Sequence, residues 1–125
     1  MPLITDPLVD KVIGCAIEVH RALGPGLYEP VYDQCLELEF SANGIAYRRQ
    51  VPLSLTFRGH RIESVYKVDF IIEGRLLLEL KAVDRFAPAH QAQILTYLRL
   101  SGLRQGLLIN FNERRLVDGL RSFLR

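Results

Sequence analysis

The chain has little cysteine, little lysine and no long apolar run, and each shortage excludes something. Cys15 and Cys35 are its two cysteines. Two are too few for a disulfide framework, and their separation fits no zinc motif. Both fall in helical patterns, so they read as core thiols in a reducing cytoplasm. No apolar stretch approaches the roughly 20 residues that span a bilayer, so no membrane is expected among the partners. The N-terminus, MPLITDPL, lacks a basic region followed by an apolar one, so no signal peptide is expected. Lysine is confined to Lys11, Lys67 and Lys81, and the other 13 of 16 basic residues are arginine. Arginine suits bidentate phosphate contact, but GC-rich coding produces the same excess. A net charge of +2 leaves whole-chain electrostatics silent about nucleic acid.

What remains describes an ordinary soluble globule, with 49% hydrophobic and 24% charged residues. A length of 125 residues makes 1–125 a single domain able to bury roughly two-thirds of its unfolded surface. Asp6-Pro7 reads as an N-cap followed by proline at the first helical position. Leu8, Val9, Val12, Ile13, Ala16, Ile17 and His20 then recur at helical spacing, up to a stop at Gly24-Pro25-Gly26. His20 continues the apolar stripe and reads as a packed histidine. A second helix is expected from about Leu27 to Ala42, ended by Asn43-Gly44. Its apolar residues form two ridges, Val31, Cys35, Leu38 and Tyr32, Leu36, Phe40. Glu29 lies near its start on the same face as Tyr32.

Tyr47 to Phe57 alternates as a half-buried strand with Val51, Leu53, Leu55 and Phe57 inward, and Pro52 puts it near an edge. Arg58-Gly59-His60 turns the chain into a meander of three or four antiparallel strands. His60, in that turn, reads as solvated. Pro88 opens a helix to about Ser101, where Gly102 stops it. Ala92, Leu95 and Leu98 are expected on the sheet, with Gln93 and Tyr97 together on another face. Gln105 to Phe111 reads as a buried strand reached by a crossover, hence parallel to its neighbour. Leu116 to Leu124 fits a short strand or a helix.

The centre of the chain is Tyr66 to Val83, YKVDFIIEGRLLLELKAV. It reads as two apolar strands joined by a turn at residues 73–75. Asp69, Glu79 and Lys81 interrupt them. A charge inside such a run costs several kcal/mol unless it is paired or binds a metal. A three-residue turn puts Ile72 opposite Leu76 and Asp69 opposite Glu79. Val68, Phe70 and Ile72 then share an apolar face with Leu76, Leu78 and Leu80. Asp69, Glu79 and Lys81 share the other face with Ile71 and Leu77. The turn calls for Gly74 or Arg75 in a left-handed conformation, or a bulge. Two facing carboxylates repel unless a positive charge lies between them. A divalent cation such as Mg²⁺ or Mn²⁺, with Lys81 orienting water or steadying a phosphate oxygen, is one explanation. A structural ion pair to Lys81 is the other.

The order of elements, with Asp69, Glu79-Leu80-Lys81 and Gln93-Ile94-Leu95-Thr96-Tyr97, resembles the PD-(D/E)XK nuclease superfamily. Gly26-Leu27-Tyr28-Glu29-Pro30-Val31-Tyr32 resembles the motif that names its GxxExxY family. The likeness runs from about Ile13 to Gly119. Val68 stands where the superfamily often has proline. The resemblance implies an α/β, restriction-endonuclease-like mixed sheet: an antiparallel meander plus a parallel crossover strand, flanked by helices. It implies Asp69, Glu79 and Lys81 as catalytic, Glu29, Asp69 and Glu79 as metal ligands, and Gln93, Tyr97 and Tyr32 as substrate-binding. The activity implied is Mg²⁺- or Mn²⁺-dependent hydrolysis of phosphodiester bonds in nucleic acid, DNA before RNA. One such site cuts one strand, so double-strand cleavage would take a homodimer. The alternatives are a non-catalytic module that binds nucleic acid or protein, and a subunit whose charges are only an ion-pair network. No helix-turn-helix, zinc motif or basic tail marks a sequence-reading module.

Overall fold

The computed structural model describes residues 6–125. The stretch before Asp6, read above for a leader, lies outside the described residues. Helix α1 spans Pro7–Leu23 and α2 spans Glu29–Ala42. Strands β1 (Tyr47–Phe57), β2 (His60–Ile72) and β3 (Leu76–Lys81) follow, then α3 (Pro88–Ser101) and β4 (Gln105–Asn110). A 3-10 turn, Leu116–Gly119, leads into β5 (Leu120–Leu124). The five strands form one sheet in chain order, antiparallel except for the parallel pair β3–β4. This is the expected mixed α/β sheet. Two open points are settled. Of the three or four strands expected in the meander there are three, because β2 runs unbroken from His60 to Ile72. The ambiguous C-terminal segment contains both a 3-10 turn and a strand.

Local chemistry accounts for the helix ends. The Asp6 carboxylate accepts from the N–H groups of Leu8 and Val9, two donors that no helical carbonyl can reach. α2 begins two residues later than expected, at Glu29, because Gly24 and Gly26 both hold positive φ in the loop before it. Gly102 ends α3 in the left-handed conformation, where a Cβ would be strained. Among the described residues no helix is long and apolar enough to cross a membrane.

The sheet is covered on both faces. α1 and α2 pack with Phe70, Ile72, Leu76, Leu78, Leu80, Leu107 and Ile109. α3 packs with Val51, Leu53, Val68, Ile71, Leu77 and Leu108 on the other side. β3 lies in the middle and is buried from Leu76 to Leu80, which explains its unbroken apolar run. Of the two ridges on α2, only Tyr32, Leu36 and Phe40 is buried. Val31 and Leu38 are exposed, since one stripe suffices for a helix at the surface of a layer. On α3 the buried residues are Ile94, Tyr97 and Leu98. Leu98 meets the expectation, whereas Ala92 and Leu95 face solvent. The thiol of Cys15 is buried and that of Cys35 half-buried, both free. His20 packs near Phe111, and its Nε2 lies 2.7 Å from the Glu113 carbonyl. His60 is exposed.

The central hairpin has the register the sequence required, with Ile72 opposite Leu76 and Phe70 opposite Leu78. Its turn holds Glu73 (φ 52) and Gly74 (φ 68) left-handed and closes with Arg75 N–H donating to the Ile72 carbonyl at 3.0 Å. Glu73 therefore shares the strain that had been assigned to Gly74 or Arg75. One expectation about faces fails. Val68 packs with α3, not with Phe70 and Ile72. The cause lies one residue away, where Gln50 of β1 adopts φ 49 and stands unpaired opposite Asp69. Across this irregularity both strands exchange faces. Arg49 lies on the α2 side through its pairs with Asp33 and Glu37, while Val51 packs with α3. Asp69 sits at the crossover.

Candidate active site at the parting of the central strands

The backbone ladder between β2 and β3 ends at Phe70–Leu78. One step further, side chains replace it. Asp69 N–H donates to Glu79 Oε1 at 2.8 Å, and Leu80 N–H donates to Asp69 Oδ2 at 2.9 Å. Each carboxylate thus satisfies an amide that the separating strands would leave orphaned. Each also keeps one oxygen free of these bonds. The Asp69 spare oxygen, Oδ1, receives only a long contact from Gln50 Nε2, 3.4 Å.

These groups are costly to ionise. Burial, reinforced by the nearby Asp69 charge, pushes the Glu79 carboxyl up to about 8. Burial also raises Asp69, with Asp33 adding to the shift, while the Leu80 N–H and Lys81 pull the other way. Glu29 is raised by burial and then by Asp69. Burial and the neighbouring Asp69 and Glu29 charges thus disfavour the ionised form of Glu79, a cost that a bound divalent cation would offset. Lys81, next but one to Glu79 on β3, is the nearby positive charge. Its Nζ donates to Gln93 Oε1 of α3 at 3.2 Å. Tyr97, one turn along α3, is buried. Its hydroxyl is pushed up to about 12 by burial and then by Glu79, so it stays protonated. Its ring lies 5.3 Å from that of Tyr66.

A cleft of about 240 Å³ opens beside Asp69 and is lined by Glu29, Asp33, Arg49 and Gln50 among others. Arg49 pairs with Asp33 and, at 3.1 Å, with Glu37, and its guanidinium lies over the Phe70 ring. A larger groove of about 350 Å³ runs between α1 and α2 past Lys11, Cys15 and Glu39, and holds none of the expected site residues.

The structure therefore brings Asp69, Glu79, Lys81, Gln93 and Tyr97 together, with Glu29 on the cleft wall. Among the described residues no three His, Cys, Asp or Glu side chains already converge on one point. Glu29 is near enough for its charge to act on Glu79, but it does not complete a ready three-carboxylate cage. The donors still suit a hard divalent ion. Mg²⁺ is usually held by one or two carboxylates, with water and substrate phosphate completing the shell. Tyr32 is placed elsewhere. It is fully buried, stacks 4.7 Å from Phe111, donates to the Gly24 carbonyl at 2.6 Å and accepts from Leu27 N–H at 3.1 Å. It braces the loop that presents Glu29 and does not line the cleft.

Sequence reasoning missed Asp33, Arg49 and Gln50. Asp33 was accessible in principle, being four residues after Glu29 on one helix face. Arg49 and Gln50 were not, since nothing local sets the pairing of β1 with β2. It also passed over Asn110, which is fully buried and ties the end of β3 through both the N–H and the carbonyl of Val83.

The solved structure of SSO0001 has a similar fold, with a TM-score of 0.60 over 77% of this chain at 20% sequence identity. This chain spans about half of that one, 49% of its length. No curated protein sequence matches the chain. The sequence profile of the PD-(D/E)XK nuclease superfamily matches residues 6–123, nearly the full length. The chain belongs to the PD-(D/E)XK nuclease superfamily.

Proposed function

We propose that the protein is a divalent-metal-dependent nuclease of the GxxExxY type that hydrolyses phosphodiester bonds in DNA. The observation that carries this reading is the pair of opposed carboxylates, half-buried Asp69 and buried Glu79, where the strands part, with Lys81 beside them. Asp69 and Glu79 would hold Mg²⁺ or Mn²⁺ through the oxygens not committed to backbone amides. The ion, when bound, supplies Lewis acidity at the scissile phosphate. Lys81, steadied by Gln93, orients the attacking water and offsets charge gathering on the phosphoryl oxygens. Tyr97 keeps its proton and donates to a phosphate oxygen. Glu29, across the cleft, accepts a hydrogen bond from the water as it attacks. The water oxygen bonds to phosphorus as its proton passes to the Glu29 carboxylate, the phosphorus–oxygen ester bond breaks, and the departing alkoxide takes a proton from solvent water.

The test is cleavage of labelled DNA with Mg²⁺ or Mn²⁺, comparing wild type with Lys81→Ala. Loss of a group that moves or steadies charge in the transition state lowers kcat by about 10²–10⁴-fold. Circular dichroism should be unchanged, because Lys81 is only half-buried. Equal activity in both proteins would sink the reading, as would activity insensitive to EDTA.

A further inference from the structure

Strands β1 and β2 continue beyond the rest of the sheet. β3 pairs with β2 no further than Phe70, and α3 covers β1 at Val51 and Leu53. From Leu55 to Phe57 and from His60 to Ile62 the strands pair only with each other. Burial fades along this arm. Val51 and Leu53 are buried, Leu55 is half-buried, and Phe57 is 61% and Ile62 45% exposed. From Val51 to Phe57 the arm is about 20 Å long at the usual rise of a strand.

The arm is shaped and charged. Between the pairs Leu53–Tyr66 and Leu55–Ile62, Ser54 alone faces Glu63, Ser64 and Val65, and Ser64 is left-handed at φ 52. Such a bulge increases the local twist and re-aims the tip. Residues 52–67 carry Arg58, Arg61 and Lys67 against Glu63, a net +2, which equals the formal charge of the whole chain. All three cations are exposed. Arg58 sits over the Phe57 ring, 5.6 Å from its centroid. Arg61 pairs with Glu63, but both side chains are about two-thirds exposed, so phosphate displaces that pair at little cost. The site end is richer in acid, with Glu29, Asp33, Asp69 and Glu79 set against Arg49 and Lys81.

We infer that the β1–β2 arm is a ribbon that docks in the major groove of a DNA duplex and delivers the adjoining phosphodiester to the cleft. This rests on the nucleolytic reading of that cleft. A two-stranded ribbon fits the roughly 12 Å major groove of B-form DNA, whereas that of duplex RNA is too deep and narrow to admit one. Arg58, Arg61 and Lys67 contact the flanking phosphates. Gln50 and Asp69 adjoin Val51 and Val68 at the base of the arm, so a duplex seated on it meets the cleft directly.

The test is anisotropy of a short labelled DNA duplex across a salt series, in EDTA so that no turnover intrudes. Wild type is compared with Arg58→Ala/Arg61→Ala/Lys67→Ala. Each phosphate contact contributes about 0.9 to the slope of log affinity against log salt, so the triple variant should flatten it by about 2 to 3. Its affinity should fall tenfold or more, with an unchanged melting temperature. Single-stranded DNA and duplex RNA should bind more weakly and respond less to the substitutions. An unchanged slope overturns the inference. So does altered self-association in sedimentation without altered DNA binding, which would make the arm an interface between copies. The two readings separate cleanly. Arm-dependent binding without cleavage under any divalent ion removes the hydrolytic reading alone. Cleavage and binding equal in wild type and triple variant remove the arm alone.

Discussion

Replacing Glu79 with glutamine should stabilise the metal-free protein at alkaline pH. Glu79 is 4% exposed, and its carboxyl is raised from 4.5 to about 8. It therefore holds its proton more tightly folded than unfolded. The stability this contributes is fully present below pH 4.5 and is lost as pH rises to about 8. At 1.36 kcal/mol for each pH unit, the ceiling is about 5 kcal/mol. Water entering between the parted strands and relaxation around the charge reduce this, and a loss of about 2 kcal/mol is expected. Glutamine keeps an acceptor for the Asp69 N–H, offers an amide to the Asp69 carboxylate and does not titrate. Urea unfolding in EDTA at a series of pH values measures the effect. Wild type and Glu79→Gln should be of similar stability near pH 4.5 and diverge toward pH 8.5, with the variant ahead. Mg²⁺ should then stabilise wild type by mass action and leave the variant unmoved. A variant less stable at pH 8.5, or two parallel pH profiles, would refute the argument that burial and repulsion strain this site.

Other consequences concern what holds the site in place. Tyr32→Phe removes the hydroxyl that joins Gly24 and Leu27, and should cost about 1–2 kcal/mol in urea unfolding. Activity should fall as well, because the loop it braces presents Glu29. Gly119→Ala should destabilise by more than about 2 kcal/mol, since a Cβ there would stand 2.4 Å from the Asn110 carbonyl oxygen, in backbone that cannot step aside. A melting temperature within a degree or two of wild type would refute that close approach.

Much of this arrangement was legible because it is local. The hairpin register follows from three facts close together in the chain: an apolar run on each side, a glycine in the turn, and charges that must not face the core. Hence the opposition of Asp69 and Glu79 could be read directly. The proline, glycine and aspartate signals at Asp6-Pro7, Gly24, Pro88 and Gly102 act within one helical turn, so they set the starts of α1 and α3 and placed their ends to within about a residue. The ridges on α2 and α3 were less legible. Apolar spacing says which residues share a face but not which face the sheet covers, so Val31, Leu38 and Leu95 looked as buried as Tyr32 and Leu98.

The sequence by itself determined the order of elements, the paired carboxylates and the lysine two residues beyond them, because strand periodicity and turn chemistry operate over a few residues. Only the tertiary structure decided that β1 and β2 exchange faces at Gln50 and Asp69, that Arg49 is held by Asp33 and Glu37, and that Tyr32 turns inward to its loop. It likewise decided that β1 and β2 outrun the sheet. The physical reason is the same in each case. These features depend on how segments 20 or more residues apart pair and pack, and that is settled by filling the whole interior at close-packed density, where no short stretch carries the answer.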